Sequence, residues 1–406
     1  MIKKIDVNDL TPGMYIHDLN CDWMNHPFLR NSFMLKNGAE LGKIFDAGVH
    51  EVYIDTDKGL DVANAPTEAE IQANLTQEMI ALAASEPGRI AQVALEEEMA
   101  RARNIRGQAH KLVRDVMSDV RLGKAVQLEA VEGMVENITG SILRNSGALV
   151  GLLRIKSKDD YTFLHSVSVC ALMVTFGRSL GLDTALVRQA GLGGLLHDVG
   201  KAKVPDEILN KPGRLTDDEF EIIKRHPGDG HAVLLQTPGV GEIPLDITRH
   251  HHERMDASGY PDKLPGDQIS MMAQMAAIVD VYDAITADRC YHKGIPPTEA
   301  LRKIWEWSKF HFNPQLVQGF MRCVGIYPTG SLVRLESGRL AVVMQQNAVN
   351  MLQPKVKAIF STKSNAYIPP VMIDLSRSMG AGGADAIVGH EDPLKLGIDT
   401  ERFFAV

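Results

Sequence analysis

Between His197 and Asp280 the sequence places four groups of metal-ligand side chains among helix-forming segments: His197-Asp198, His226, the run His250-His251-His252, and Asp280. A chain that buries these groups must fold so that they meet, because a buried imidazole or carboxylate without a partner is costly. Any one histidine on an apolar helix is more often a hydrogen-bonded core residue than a ligand, and His231 reads that way, as a surface or capping residue. Four such elements in one region are harder to explain by packing, since each adds a burial cost that only a shared ion removes.

The local patterns say how each group is presented. In Leu195-Leu196-His197-Asp198-Val199-Gly200-Lys201 the His and Asp are adjacent and diverge on a helix. They are poorly placed to chelate one ion side by side, but the Asp can reach across to bridge two. Thr216-Asp217-Asp218-Glu219 is a capping box opening a helix that carries Ile222 and Ile223 and then His226, at its end before Pro227. Only two neighbours of the His run can face one site. Ile278 to Ala284 is apolar enough for a buried helix, with Asp280 and Asp283 one turn apart on one face. Asp283 reads as a cap or as the partner of an Arg such as Arg289. Neutral imidazoles plus carboxylates, one able to bridge, are the donor set of a site for two divalent metals.

At this point the residues match a family. His197-Asp198-Val199-Gly200-Lys201, His251-His252-Glu253-Arg254-Met255-Asp256 and Gly259-Tyr260-Pro261 closely resemble the HD-GYP phosphodiesterases, a branch of the HD-domain phosphohydrolases. Lys211-Pro212-Gly213-Arg214-Leu215, Asp280, Asp283 and Arg289-Cys290-Tyr291 follow in that family's order, so the likeness runs from about Gln127 to Val324. The resemblance implies an all-helical domain that hydrolyses the bacterial second messenger cyclic di-GMP to linear pGpG or GMP. It implies metal ligands His197, Asp198, His226, His251, His252 and Asp280, with iron or manganese as the ions. In some relatives a Glu one turn before an upstream His helps to hold a third metal. The matching His here is His165, but the position one turn earlier is Tyr161, so two ions are expected, with His165 and Asp160 as additional ligands should a third bind.

Two ions sharing a water can lower its pKa and provide hydroxide for in-line attack on phosphorus. On this reading Asp198 bridges the ions and Lys201 is the nearest cation to help with developing charge. Arg254, Arg289 and the Lys211 to Arg214 loop are the basic groups for the substrate phosphates, Arg289 foremost. Gly259, Tyr260 and Pro261 form a tight turn that either contacts substrate through the Tyr or is only structural; in the family it is the signature loop and a contact for signalling partners. Two departures stand out. Ala257 replaces the family's usual Gly, and His292 replaces a phosphate-contacting Lys, with Lys293 beside it to take over the charge. They keep open a non-hydrolysing cyclic di-GMP receptor, or a phosphohydrolase of another cyclic dinucleotide.

The remainder sets the context. The 406 residues, 45% hydrophobic, suffice for several domains without disulfides, and the four cysteines, Cys21, Cys170, Cys290 and Cys323, show no pairing or zinc pattern. A reducing, cytoplasmic location is expected: the start is too polar for a signal peptide and no apolar run is long enough to span a bilayer. A net charge of −8 argues against DNA binding, while a small anion needs only a local cationic pocket.

The expected architecture is multidomain and mainly α. Residues 1–62 read as a small α+β accessory domain, 63–126 as a helical linker, 127–325 as the helical catalytic domain and 326–406 as a β-rich module. Within the first, Glu40 to Ala47 reads as helix, and Thr11-Pro12-Gly13-Met14-Tyr15 and Val49 to Ile54 resemble a small domain often fused to such proteins. The linker's apolar spacing suits a contact with a second chain in a homodimer, and its charges suit an exposed helix equally. In the last module Leu332 to Leu335, Leu340 to Gln345 and Val356 to Phe360 read as strands.

Overall fold

A computed structural model describes residues 1–21, 28, 32–83, 93–153, 161–211, 213, 215–287, 294–347, 350–378, 385–393 and 395–404. The chain opens with a four-stranded sheet. Its strands are β1 (Ile2–Asp6), β2 (Tyr15–Asp18), β3 (Phe33–Met34) and β4 (Glu51–Asp55), in the order β1-β4-β2-β3 with every pairing antiparallel. Helix α1 (Gly38–Asp46) starts where the Asn37 side chain accepts from the Glu40 amide at 3.0 Å. Ile16, Ile44, Val52 and Ile54 close a core of their own.

Helices follow. α2 (Glu68–Ala83) and α3 (Leu95–Arg121) precede α4 (Leu128–Leu153), α5 (Tyr161–Ser179) and α6 (Thr184–Leu196). A short 3-10 turn at Val199–Lys203 leads to α7 (Asp206–Leu209), α8 (Asp217–Ile223), α9 (His226–Leu235) and α10 (Glu242–His250). Then come α11 (Met271–Thr286), α12 (Pro297–Trp307) and α13 (Pro314–Val324). α11 is buried along nearly its whole length, as its apolar sequence requires. Among the described residues no helix is long and apolar enough to cross a membrane.

The apolar stripe of α3, from Leu95 through Met99, Ala102, Ala109 and Val116 to Val120, is buried with Val135, Ile138 and Ile142 of α4 and Val167 and Ala171 of α5. The chain's own helices cover the face expected to meet a second copy. The charges divide between the two roles. Glu98 is fully buried and takes Arg144 of α4 at 2.7 Å and the Ser141 hydroxyl at 2.8 Å, whereas Glu97 and Arg101 form an exposed i,i+4 pair at 3.7 Å.

A second antiparallel sheet closes the chain, with order β8-β7-β6-β5-β9, and ahead of a last turn α14 (Glu401–Phe404). Strands β5 (Leu332–Leu335), β6 (Arg339–Gln345) and β7 (Lys355–Ser361) fall where the alternation put them. β8 (Ala366–Asp374) and β9 (Ile387–Glu391) escaped the sequence reading. β8 contains Pro369-Pro370, which argues against a strand, and it is accommodated as an edge whose pairing with β7 breaks register between Ala358 and Phe360.

The N-terminal sheet docks on α12 through a buried polar knot. Glu306, 3% exposed, takes Lys4 at 2.5 Å, the Tyr53 hydroxyl at 2.8 Å and the Asn20 amide at 3.1 Å, while Trp307 donates to Asn20 at 3.1 Å. Burial and the Glu306 carboxylate together push the Tyr53 phenol far up, so it stays a donor.

Candidate metal centre

Five elements bring seven donor side chains to one buried point. His165 comes from α5, His197 and Asp198 from the end of α6, His226 from the start of α9, His251 and His252 from the end of α10, and Asp280 from α11. None is more than 5% exposed. His226 is placed differently from expectation. The capping box at Thr216 is present, but α8 stops at Ile223 and His226 opens the next helix, with Pro227 in its first turn, where a missing N–H costs nothing.

Close backbone contact makes this possible at Gly200. A Cβ there would lie 1.9 Å from the His226 carbonyl oxygen and 2.5 Å from the Gly230 nitrogen, so only glycine lets the turn after Asp198 lie against α9.

The imidazoles are oriented by their rear nitrogens. Nδ1 of His197 meets the Gly194 carbonyl at 2.8 Å, Nδ1 of His226 the Ile223 carbonyl at 2.7 Å, and Nδ1 of His251 the carbonyls of Ile247 and Thr248, both at 3.1 Å. A carbonyl only accepts, so each Nδ1 carries a hydrogen, and the neutral rings of His226 and His251 turn a bare Nε2 inward. His226 Nε2 and His251 Nε2 then face each other at 3.3 Å as two lone pairs. Burial pushes the pKa of both rings down, that of His251 well below its ordinary value, so neither holds a second proton to relieve the contact. Burial and the neighbouring His251 do the same to His252.

Asp198 divides the centre. Oδ1 lies 3.2 Å from His226 Nε2 and 3.9 Å from His251 Nε2, whereas Oδ2 lies 3.4 Å from His197 Nε2 and 3.6 Å from His165 Nε2. On the second side Asp280 Oδ1 is 2.9 Å from His165 Nε2 and 3.7 Å from His197 Nε2, and Asp283 holds His165 Nδ1 at 2.7 Å. Three overlapping groups of ligand atoms result: His226 with His251 and His252, His165 with His197 and Asp280, and His197 with Asp198 and His251, which joins the two sides. Burial alone would raise the two aspartates. The imidazoles around both, with Lys201 beside Asp198, outweigh it and hold Asp198 and Asp280 well below the usual carboxylate range. Burial opposes charge on His197 too, but Asp198 and Asp280 lift it to about 10, and that proton is one a bound cation replaces. His197 Nε2, Asp198 Oδ1 and His252 Nε2 are buried without a hydrogen-bond partner. Inward lone pairs, ionised carboxylates and orphaned buried acceptors together fit divalent metal ions.

Comparison with known proteins agrees. The HD domain family matches residues 151–316, and a family described as a domain of unknown function (DUF3391) matches residues 2–131. The chain is 46% identical to "Cyclic di-GMP phosphodiesterase PA4108" of Pseudomonas aeruginosa over 392 residues, 96% of this chain and 92% of that one. The chain belongs to the HD-GYP family.

Shorter matches within the family are 37% identity to "Cyclic di-GMP phosphodiesterase response regulator RpfG" of Xanthomonas campestris, over 39% of this chain and 42% of that one. Another is 36% identity to "3'3'-cGAMP-specific phosphodiesterase 1" of Vibrio cholerae, over 36% of this chain and 34% of that one.

The HD-GYP loop packs directly on the centre. The Tyr260 ring stacks on His252 with centroids 4.7 Å apart, and Gly259 lies so close to the chain at His252 to Arg254 that a Cβ would meet it at 2.5 Å. Tyr260-Pro261 is a cis peptide. Ala257 adopts φ +61°, the left-handed conformation that the family's glycine takes without cost. Glu253, whose role the sequence reading missed, is buried and accepts from the amides of Asp262 at 2.7 Å and Leu264 at 3.0 Å, pinning the loop's far side. A carboxylate following two ligands invited a chemical role; only the fold shows its backbone partners.

Several expectations change. Arg254 is 1% exposed, with its guanidinium over the Phe312 ring at 5.2 Å and donating to the Glu253 carbonyl, so it supports the loop from inside and is not presented to a phosphate. Lys201 is spent on Asp198 Oδ2 at 2.5 Å. Asp283 pairs with His165. In line with the expectation that only two of the His run face one site, His250 turns away to Asp246 at 2.7 Å and Asp262 at 3.1 Å. Lys211 pairs with Glu219 at 2.6 Å. Asp160, Arg214, Arg289, His292 and Lys293 lie outside the described residues, as does the side chain of Tyr161. A cavity of about 640 Å³ runs along α5 beneath the second sheet and meets the centre only through Asp283, so it is separate from the ligand cluster.

Proposed function

We propose that this protein is a cytoplasmic metal-dependent phosphodiesterase that hydrolyses cyclic di-GMP to linear pGpG, to GMP or to both. The observation that carries the reading is the division of Asp198, whose two carboxylate oxygens face separate sets of imidazoles. His226, His251 and His252 with Asp198 Oδ1 would hold one ion, and His165, His197 and Asp280 with Oδ2 the other. Mixed imidazole and carboxylate donors suit iron or manganese. Two such ions, when bound, lower the pKa of a shared water and offset the charge of the phosphodiester.

The chain's own residues prepare this chemistry. The Nδ1 contacts to backbone carbonyls fix tautomer and ring orientation. Lys201 holds Asp198 in place and offsets part of its charge. Tyr260, against His252, offers an aromatic face beside the centre on which a guanine can stack. Arg289, His292 and Lys293 are the cations proposed for the phosphates. Family relatives named for cyclic di-GMP and for 3'3'-cGAMP make the choice of base the open variable.

The test is purified protein loaded anaerobically with iron or manganese and incubated with cyclic di-GMP and with its mixed guanine–adenine analogue, products being separated by chromatography. Linear dinucleotide or GMP from cyclic di-GMP is expected. Binding without turnover under both metals would make the protein a receptor, and faster turnover of the mixed analogue would reassign the substrate.

A further inference from the structure

The N-terminal sheet reaches the loop that presents Tyr260. His50, the residue before β4, donates from Nε2 to Asp256 Oδ2 at 2.6 Å, and its ring stacks on Phe310 with centroids 4.2 Å apart. In the same turn the Gly48 carbonyl accepts from His311 Nε2 at 3.2 Å. A Cβ on Gly48 would lie 2.4 Å from the Ser258 Cβ, so the two segments are pressed together.

Asp256 uses its other oxygen inside the loop, where Oδ1 accepts from the Ser258 amide at 3.1 Å and its hydroxyl at 2.6 Å. Between these two residues stands Ala257 at φ +61°, a conformation in which its Cβ is strained. Such a residue persists only where its surroundings over-determine it. The same turn delivers Gly259 and Tyr260, with the Tyr260 amide donating to the His252 carbonyl at 3.2 Å. His50, Asp256 and His311 also have the composition of a metal site. However, both Nε2 atoms are already donors, to Asp256 and to Gly48, so hydrogen bonding accounts for the cluster.

We propose that His50 is a positioning residue of the active site: through Asp256 the N-terminal module holds the strained Ala257 turn and so sets the Tyr260 ring over His252. The proposal rests on the reading that substrate binds beside Tyr260. An accessory domain thereby becomes part of the substrate site, and a signal that moved it would be read as a change in affinity.

The experiment uses the full-length, metal-loaded protein. His50→Ala raises the KM for cyclic di-GMP about tenfold with kcat changed less than about twofold. His50→Gln, which keeps an N–H donor near the same place, restores KM to within about twofold of the parent. Because Ala257→Gly relieves the strain, His50→Ala in the Ala257→Gly background raises KM by less than about twofold. Hydrogen exchange at the Ala257 and Tyr260 amides reads the loop without substrate. It quickens in His50→Ala and recovers in His50→Gln, while β4 stays protected. Failure of the parent protein to turn over cyclic di-GMP, with this exchange pattern intact, defeats the proposed reaction and leaves the positioning role standing. An equal rise in KM in both backgrounds, unchanged loop exchange, or loss of β4 protection in His50→Ala overturns it.

Discussion

At the scale of single residues the centre depends most on Asp198. Its two oxygens face different imidazole sets, so Asp198→Ala removes a donor from both positions and leaves the half-buried Lys201 without its counter-charge. We expect purified Asp198→Ala protein to hold less than one metal per chain by elemental analysis and to lose activity by more than about a thousandfold. Retention of two ions would mean that the division of Asp198 has no bearing on metal binding. Much at this scale was readable beforehand. The ligand types and the divergence of His197 from Asp198 follow from spacing and side-chain chemistry, while the choice of His251 and His252 over His250 came from the family resemblance. Arg254 did not, because a basic residue beside two ligands invites a phosphate, and its burial over Phe312 depends on a segment more than fifty residues away. His165 was read only as an auxiliary, since its partners Asp280 and Asp283 lie on a distant helix.

At the scale of elements, the turn at Val199–Lys203 and the start of α9 form one device. Gly200 sits against the His226 backbone, so Gly200→Ala must push apart the elements that carry Asp198 and His226. The contact is with backbone and cannot be relieved by a rotamer change. A loss of about 3 kcal/mol is expected in chemical denaturation, together with weaker metal retention. A loss below about 0.5 kcal/mol would show that the segment yields freely. The linker helix and β5 to β7 were legible because periods of 3.6 and 2 are imposed by burying one face, while the helical make-up of the catalytic domain came from the family resemblance. The break between α8 and α9 was not, because propensity allows one helix through Lys224 and tertiary contact decides otherwise.

At the scale of the whole molecule, the module boundary is a polar surface sensitive to acid. His311 is buried between Asp256, Arg254 and Gly48. Burial lowers its pKa to about 4 from an ordinary 6.5, with the Asp256 carboxylate opposing and Arg254 reinforcing the shift. A histidine held neutral in the fold contributes stability that is complete above about 6.5 and is lost as pH falls towards 4, since the unfolded form takes up the proton first. Asp256, held below the ordinary carboxylate range despite its burial by Ser258, His311 and His50, keeps its own contribution until lower pH still. Unfolding followed at pH 7, 6, 5 and 4 should therefore show stability falling across this window, and His311→Gln should flatten the fall. An unchanged slope in that variant would assign the acid sensitivity elsewhere. No single-sequence pattern announced this surface, because its members lie near residues 50, 256 and 311 and only the fold joins them.

The proline pair in β8 bears on how the molecule behaves in a crowded solution. An outer strand with free backbone donors is a template on which another chain can add, and Tyr367, Val371 and Met372 make this one partly apolar. Pro369 and Pro370 carry no backbone N–H, and the register shift beside them interrupts the regular ladder. Replacing both with threonine should leave hydrolysis intact while making light scattering rise with protein concentration. The feature that hid this strand from the sequence reading is thus the one expected to oppose edge-to-edge addition of a second chain.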